Sequence, residues 1–444
     1  MSQEIIEEKE RKESLKNSFL DGLFASLNLG FSQNYLVPFA LFLGASSFQI
    51  GLLSSLPQFA GSLAQIASPD IVERLKRRVK FIANAVFLQA FLWLLIALLP
   101  IFPMEKITLY IILLTINTSF GAAATPAWQS LMSDTVEKER YGEYFAWRGR
   151  VLGFISLLAN FTAGFLLFLF SANKILGFFL IFFISGLTRG ISGYFINRMY
   201  DIPLRVLPER RFSYFAFIKR LPESNFVKFT LFVSGMYFAA FIAAPFFSVY
   251  MLRDLKFAYS TYTLITTSST LASLLALPFW GKYADRYGNA RILKASSFLI
   301  SLIPLLWLLS PNPIYLIFLN AFAGYAWSGF NLCTVNFIFD AASPEVRTRC
   351  LGYFNFTNGV TIFLGGLIGG FLATRLPPFF SRSPLLTLFL LSGILRIMVD
   401  VILLPKFKEV RPTESIERKE LLSVILGIKP LLSLSEDILF WKKK

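Results

Sequence analysis

No histidine occurs among the 444 residues, and only two cysteines do, Cys333 and Cys350. Their scarcity excludes Cys/His metal clusters, histidine-dependent hydrolytic triads and a disulfide framework, and leaves two free thiols. Any group that binds and releases a proton must then be Asp or Glu, or less favourably Lys or Tyr. No Gly-x-x-x-x-Gly-Lys-Ser/Thr loop is present, because Gly281-Lys282 stands without the rest of that phosphate cradle. Residues 1–16 are charged and have no apolar core, so no cleavable signal is read there. Charge itself is sparse: 16% of the residues are charged, against about 25% in a soluble chain. Together these absences predict a protein that is not an enzyme, binds no metal and needs no cofactor.

What fills the space is hydrocarbon. Hydrophobic residues make up 55% of the chain, and phenylalanine alone contributes 50. This is the composition of a polytopic membrane protein whose surroundings are lipid. The net charge of +16 sits in short runs between apolar segments, so it reports topology and not nucleic-acid binding. About 12 apolar stretches follow one another, each near the ~20 residues that cross the hydrocarbon layer. They cover residues 17–43, 47–68, 80–101, 106–133, 143–170, 175–199, 225–252, 259–280, 291–310, 313–340, 348–374 and 384–405. Backbone groups in lipid must be satisfied within their own segment, so the predicted class is all-α, with Pro38, Pro57, Pro126, Pro245, Pro278 and Pro304 as kinks.

Basic residues orient the stretches. With the N-terminus inside, about 35 of the 43 Lys and Arg fall in cytoplasmic tails and loops, as the positive-inside rule requires. Lys106, Lys174, Arg253, Lys256, Arg375 and Arg382 fall outside, and Arg189 and Arg396 lie within stretches. The expectation is a multi-pass protein of the cytoplasmic (inner) membrane with both termini cytoplasmic.

The chain also repeats itself. Ser185-Gly-Leu-Thr-Arg189 returns as Ser392-Gly-Ile-Leu-Arg396, and Pro38 returns as Pro245, both about 207 residues on. Asn117 and Gly121 match Asn320 and Gly324, and Asp134 matches Asp340. Two six-helix pseudo-repeats follow. The predicted plan is a tail at 1–16, a six-helix half at 17–199, a cytoplasmic linker at 200–224, a second half at 225–405 and a basic amphipathic tail at 406–444.

Between the eighth and ninth stretches lies Gly281-Lys-Tyr-Ala-Asp285-Arg286-Tyr-Gly288-Asn-Ala-Arg291. Gly281 and Gly288 offer backbone freedom for a sharp hairpin. The pattern Gly-x-x-x-Asp-Arg-x-Gly followed by basic residues resembles the loop signature of the major facilitator superfamily. A looser copy, Pro69-Asp-Ile-Val-Glu73-Arg74-Leu-Lys76-Arg77-Arg78, lies between the second and third stretches. The resemblance implies the major facilitator fold and a monomeric secondary transporter working by alternating access. Arg286 is then expected to pair with Asp340, and Arg74 with Asp134. Asp285 and Glu73 are expected to face helix starts in the opposite half and so to bias the access state. The likeness does not extend to drug–proton antiporters, since the fifth stretch has Gly149, Gly153 and Gly164 but no proline.

The resemblance also implies that the first, fourth, seventh and tenth stretches line the cavity. Their amides and aromatics are the candidate contacts: Asn28, Gln33, Asn34, Asn117, Trp128, Gln129, Tyr237, Asn320, Trp327 and Asn331. That mixture suits a neutral or amphipathic organic solute. The bland alternative is hydrogen bonding between helices, worth ~0.6 kcal/mol each. Asp21 is the one carboxylate of the first stretch and the candidate for coupling to a proton or other ion; the alternative is a carboxylate favoured by the helix dipole. Arg189 and Arg396 either attract an anion or pair within their own halves. An uncoupled facilitator and a membrane sensor on the same scaffold remain the competing functions.

Overall fold

A computed structural model describes residues 2–75, 77–102, 105–137, 141–201, 214–219, 223–342, 344–378 and 383–413. The helices are α1 (Ser2–Ser32), α2 (Leu36–Phe42), α3 (Ser47–Leu75), α4 (Arg78–Leu98), α5 (Lys106–Thr135), α6 (Tyr141–Leu169) and α7 (Lys174–Asn197). They continue as α8 (Tyr214–Lys219), α9 (Asn225–Val249), α10 (Tyr259–Tyr287), α11 (Asn289–Leu306), α12 (Pro313–Ala341), α13 (Pro344–Leu372) and α14 (Pro384–Leu403). The twelve apolar stretches each meet a helix in order, the first being α1 and α2 together. No strand occurs among the described residues. The amphipathic tail and most of the linker lie outside them.

Among the described residues, nine helices are long and apolar enough to cross a membrane, and α1, α3 and α12 carry too much polarity to be counted with them. Large side chains such as Phe91, Phe165 and Phe318 remain more than half exposed on helix surfaces. In water this would be costly; against acyl chains it is not.

Two boundaries differ from the sequence reading. Helix α1 starts at Ser2, so the expected loose tail is helical. It is tied down by Arg11 Nε donating to the Thr135 carbonyl (2.6 Å) and by the Tyr200 amide donating to Ser14 Oγ (2.9 Å). The expected hairpin loop at 281–291 shrinks to one residue. Helix α10 runs through Gly281 to Tyr287, and only Gly288, at φ +94°, breaks it before α11.

The chain divides into two compact units, and the division falls between Glu209 and Arg210, within the expected linker, and again within α9, α10, α13 and α14. Unit 1 comprises Met1–Glu209, Ala240–Thr267 and Gly352–Leu388; unit 2 comprises Arg210–Ala239, Ser268–Leu351 and Phe389–Lys444.

In unit 1, α4 packs on α5 and α7, and α1 packs on α6 and α7. Ile82, Val86, Leu131, Met132 and Ile196 form a buried core there. Gly51 of α3 meets the backbone of Gly366 and Gly370 of α13, and the missing side chains let the two helices touch. The α1–α2 break has a local cause. Pro38 lacks an N–H, so the Asn34 carbonyl four residues earlier loses its helical donor. A 3₁₀ turn forms at Gln33–Tyr35, and Asn34 O accepts the Tyr262 hydroxyl instead (2.8 Å).

In unit 2, α11 packs along α12. Phe229 of α9 stacks on Phe337 of α12 at 4.3 Å, and Phe407, which follows α14, is fully buried against both. The single-residue turn is secured from the same segment: Glu409 accepts the Ala290 amide (2.7 Å) at the start of α11, where the helix leaves N–H groups unpaired.

Candidate functional site

A buried polar chain runs through unit 1, whose surroundings are otherwise apolar. It starts at Asn117 of α5, whose side chain donates to the Gln89 carbonyl (3.0 Å) while Gln89 Nε2 donates back to the Asn117 carbonyl (2.8 Å). Gly121 makes room, since a Cβ there would collide with the Gln89 amide. Gln89 Oε1 then accepts two bonds from Arg189 of α7, at 2.7 and 3.0 Å. Arg189 also donates to Ser192 Oγ (3.3 Å), and Ser192 donates to Asp21 of α1 at 2.7 Å. On the other side of Asp21 stands Arg148 of α6, 3.8 Å away. Arg148 donates to the Ser18 carbonyl (3.0 Å) and lies 4.8 Å over the Trp128 ring.

Spacing explains the assembly. Asp21 and Asn28, Arg189 and Ser185, lie on the faces by which α1 and α7 meet: Asn28 donates to the Ser185 carbonyl (2.9 Å) and Ser185 Oγ to the Asn28 carbonyl (3.3 Å). The dipole reading of Asp21 does not hold, because α1 begins at Ser2 and Asp21 is several turns inside it. A lone carboxylate here would cost several kcal/mol, so two guanidiniums offset one carboxylate. The pairing is uneven. Charge-assisted bonds run about 2.7–2.9 Å, so Arg148 at 3.8 Å stands off, and the short contact to Asp21 is a neutral hydroxyl.

Trp128 Nε1 is buried facing the Asp21 carboxylate, and Arg148 Nε is buried without an acceptor. Sequence reasoning named Asp21, Asn117, Trp128 and Arg189 but missed Gln89, Arg148 and Ser192. Arg148 was legible, since an arginine near the end of a spanning stretch is costly unless paired.

The remaining candidates are spread out. In unit 2, Tyr237 stacks on Trp327 (6.0 Å, 16°) and its hydroxyl donates to Asn331 (3.1 Å), so three predicted residues form one aromatic–amide wall. Asn320 donates to Leu316 O of its own helix (3.0 Å). Asn34 donates to Asn160 (3.1 Å), while Gln33 and Gln129 are exposed. Asn28 and Asn117 serve helix packing, the bland role.

Arg396 of α14 is buried and donates to the Ile300 carbonyl of α11 (2.9 Å). Asp400, one turn later, went unnoticed in the sequence; it accepts from Ser297 and from Ser301 (2.7 Å). The acids ending the fourth and tenth spans are also held otherwise than expected. Asp134 pairs with Arg78 (2.8 Å), and Asp340 pairs with Arg411 (2.9 Å) and accepts from Asn289 (2.7 Å). In both repeats the partner begins the preceding span in contact, α4 or α11, where the first turn presents its side chains toward the end of the neighbouring helix. Arg286 lies over the Tyr287 ring (5.1 Å) and Asp285 is exposed. The side chains of Glu73 and Arg74 lie outside the described residues.

Comparison with known proteins follows the same lines. Residues 229–441 match the Major Facilitator Superfamily. The nucleoside transporter NupG, in its D323A mutant, superposes with a TM-score of 0.70 at 14% identity, covering 88% of this chain and 100% of that one. A D-xylose–proton symporter gives 0.67 at 10% identity, covering 91% and 99%. The chain has the major facilitator fold. An uncharacterized transporter of Buchnera aphidicola subsp. Schizaphis graminum (strain Sg) is 26% identical over 192 residues, 41% of this chain and 45% of that protein. A second, from the subspecies Acyrthosiphon pisum (strain APS), is 25% identical over 113 residues. The chain thus spans less than half the length of the curated relatives it matches.

Proposed function

We propose that the protein is a secondary transporter that moves a small organic solute across the cytoplasmic membrane by alternating access, coupled to a proton at Asp21. The observation that carries this reading is the buried Asp21 carboxylate between Arg148 and Arg189, in a chain with the major facilitator fold. A chain of this fold with no histidine has few groups that can carry a proton, and Asp21 is the carboxyl whose neighbours allow both charge states. Both termini are cytoplasmic in this reading, because the basic residues crowd the loops on that side. The working unit is a monomer, as the resemblance implies.

In unit 2 the solute contacts are the Tyr237–Trp327–Asn331 wall and Asn320; in unit 1 they are Trp128, Gln33, Asn34 and Gln129. Solved neighbours named for nucleosides, xylose and peptides all carry compact organic solutes with hydrogen-bonding groups. An aromatic face with an amide beside it suits such a solute. Asp285 biases the access state from its position at the end of α10.

The test is transport by purified protein in liposomes, with an imposed pH gradient and a panel of nucleosides, sugars and small peptides. Gradient-driven accumulation of one solute class is expected. Asp21→Asn should abolish accumulation and leave exchange of the same solute across the bilayer intact. Full accumulation by that variant would remove Asp21 from coupling, and binding without passage would favour a sensor.

A further inference from the structure

Unit 1 holds a cavity of about 350 Å³ between the α6–α7 turn and the segment that joins α9 to α10. Its size falls within the range of about 300–1,000 Å³ typical of small-molecule sites. Lys174 and Lys256 both line it, with Ser171 and Tyr259 beside them and Leu167 and Leu252 as an apolar wall. No carboxylate is among the lining residues. The acid next in sequence, Asp254, is engaged by Ser383 (2.5 Å) and Arg253 (3.0 Å).

We propose that this cavity is a binding site for an anionic phosphate group, either a phospholipid headgroup or a free phosphate monoester. Three separate features point to negative charge. Two lysines from distant parts of the chain, both solvent-exposed, line one cavity with no carboxylate among its described lining residues, so an anion entering it meets both positive charges. Lys174 and Tyr259 are the first residues of α7 and α10, so two helix N-termini converge there and add their partial positive charge. Lys256 has φ +54°, the left-handed conformation that non-glycine residues avoid. A glycine would take that conformation freely; here it carries a charged side chain on the cavity rim, and backbone strain of this kind gathers at ligand sites.

The apolar wall and the position of the cavity at the ends of spanning helices suit a lipid headgroup with its acyl chains in the bilayer. Serine hydroxyl and Tyr259 supply neutral hydrogen bonds, and Lys174 Nζ, 6.0 Å over the Tyr259 ring, is already oriented across the opening. Bound there, the anion ties the α6–α7 turn to the start of α10, which are far apart in sequence.

The experiment uses the full-length purified protein in detergent and follows thermal unfolding. Inorganic phosphate is titrated in one arm; in the other, phosphatidylglycerol is compared with phosphatidylcholine at equal mole fraction. A saturable rise in Tm with phosphatidylglycerol and none with phosphatidylcholine or phosphate assigns a lipid headgroup. A rise with phosphate at matched ionic strength assigns a free anion. In either case Lys174→Gln and Lys256→Gln should each weaken the effect about tenfold, the loss of one charge-assisted hydrogen bond. Lys174→Arg and Lys256→Arg should retain it, which separates lost charge from poor folding. No rise with either anion, or an equal rise in the Lys174→Gln/Lys256→Gln protein, overturns the proposal.

Discussion

Arg189 and Arg396 occupy matching places in the two repeats, and their surroundings show what a buried charge requires in a helix bundle. Arg189 has Gln89 and Ser192 as partners and Asp21 nearby; Arg396 has the Ile300 carbonyl and Asp400 nearby. Arg189 donates from each of its three nitrogens to Gln89 or Ser192, while Arg396 holds the Ile300 carbonyl and keeps its Nε buried without an acceptor. For Arg396 a structural role follows, and it can be measured. Arg396→Met leaves Asp400 with two serine donors and no cation, so stability should fall by ~3–5 kcal/mol. Adding Asp400→Leu removes the stranded charge, and the double variant should regain most of that loss. Denaturant unfolding of the four proteins of the cycle gives the answer. If Asp400→Leu deepens the loss, the two residues do not act as a pair. The same arithmetic separates Asp21 from Asp400. Asp400 has two hydroxyl donors and sits on the helix of its own arginine. Asp21 has the Ser192 hydroxyl and the Trp128 indole as neutral donors and lies between two arginines on other helices. A carboxylate so placed is the better candidate for work.

Among the elements, the α10–α11 junction divides the labour of two glycines that look alike in sequence. Gly288 has φ +94° and ψ 149°, and a Cβ there would strike the Glu409 carboxylate. Gly281 lies inside α10 and a Cβ there would meet nothing. Gly288→Ala should therefore cost ~1–3 kcal/mol, the strain of a conformation nearly confined to glycine. Gly281→Ala should be neutral or stabilise by about 0.5–1 kcal/mol, because alanine suits a helix interior. Thermal unfolding in one detergent compares them, and an equal cost for both would mean that Gly281 also serves a close approach. This junction shows how far the sequence reached. The existence and order of the twelve spans were legible because a length of about 20 apolar residues is a requirement of the bilayer. Helix ends were not, since Tyr283, Asp285 and Arg286 read as loop while a helix accepts them equally well. In the site, Asp21, Asn117, Trp128 and Arg189 were visible as polar residues in apolar stretches. Gln89 and Ser192 were not, because a single amide or hydroxyl in a spanning helix is common, and only the fold brings them between two charges. Asp134 is held by Arg78, which opens α4 and reaches both Asp134 and Ser130 (2.8 Å each), while the side chain of Arg74, expected at Asp134 from the loop pattern, lies outside the described residues.

At the level of the whole molecule, the proposed transport cycle requires one seam within unit 1 to open. The Tyr35 hydroxyl donates to the Asn160 carbonyl (2.8 Å) and meets Thr263 Oγ1 (3.0 Å), and Asn160 Nδ2 donates to Thr267 (2.7 Å). The Tyr262 hydroxyl reaches the Asn34 carbonyl (2.8 Å), and Arg253 donates to Ser47 (3.1 Å). These bonds join the first-repeat helices α1, α3 and α6 to the start of α10 and the end of α9, in the second repeat. They are hydroxyls and amides, each worth about 0.5–1.5 kcal/mol net, set beside a few ring contacts such as Phe59 on Phe363 (5.1 Å) and Phe178 on Tyr259 (5.6 Å). A seam of that strength holds one arrangement yet yields to a modest differential in solute binding, as alternating access requires. Where the backbones of α3 and α13 touch, Gly366 lies against Gly51 and Ser55, so Gly366→Leu should wedge the seam open. Tyr35→Phe removes one bond across the seam, that to Thr263, and should open it more gently, by up to about tenfold in population. Ala163 of α6 is fully buried near the seam and serves as reporter. In a protein with Cys333 and Cys350 replaced by alanine, Ala163→Cys should react slowly with a water-soluble maleimide. Adding Tyr35→Phe should speed the reaction, and Gly366→Leu should speed it further. A labelling rate unchanged by both substitutions would mean that the seam stays closed through the cycle. Transport would then have to proceed without separating α6 from the start of α10, and alternating access at this seam would be ruled out.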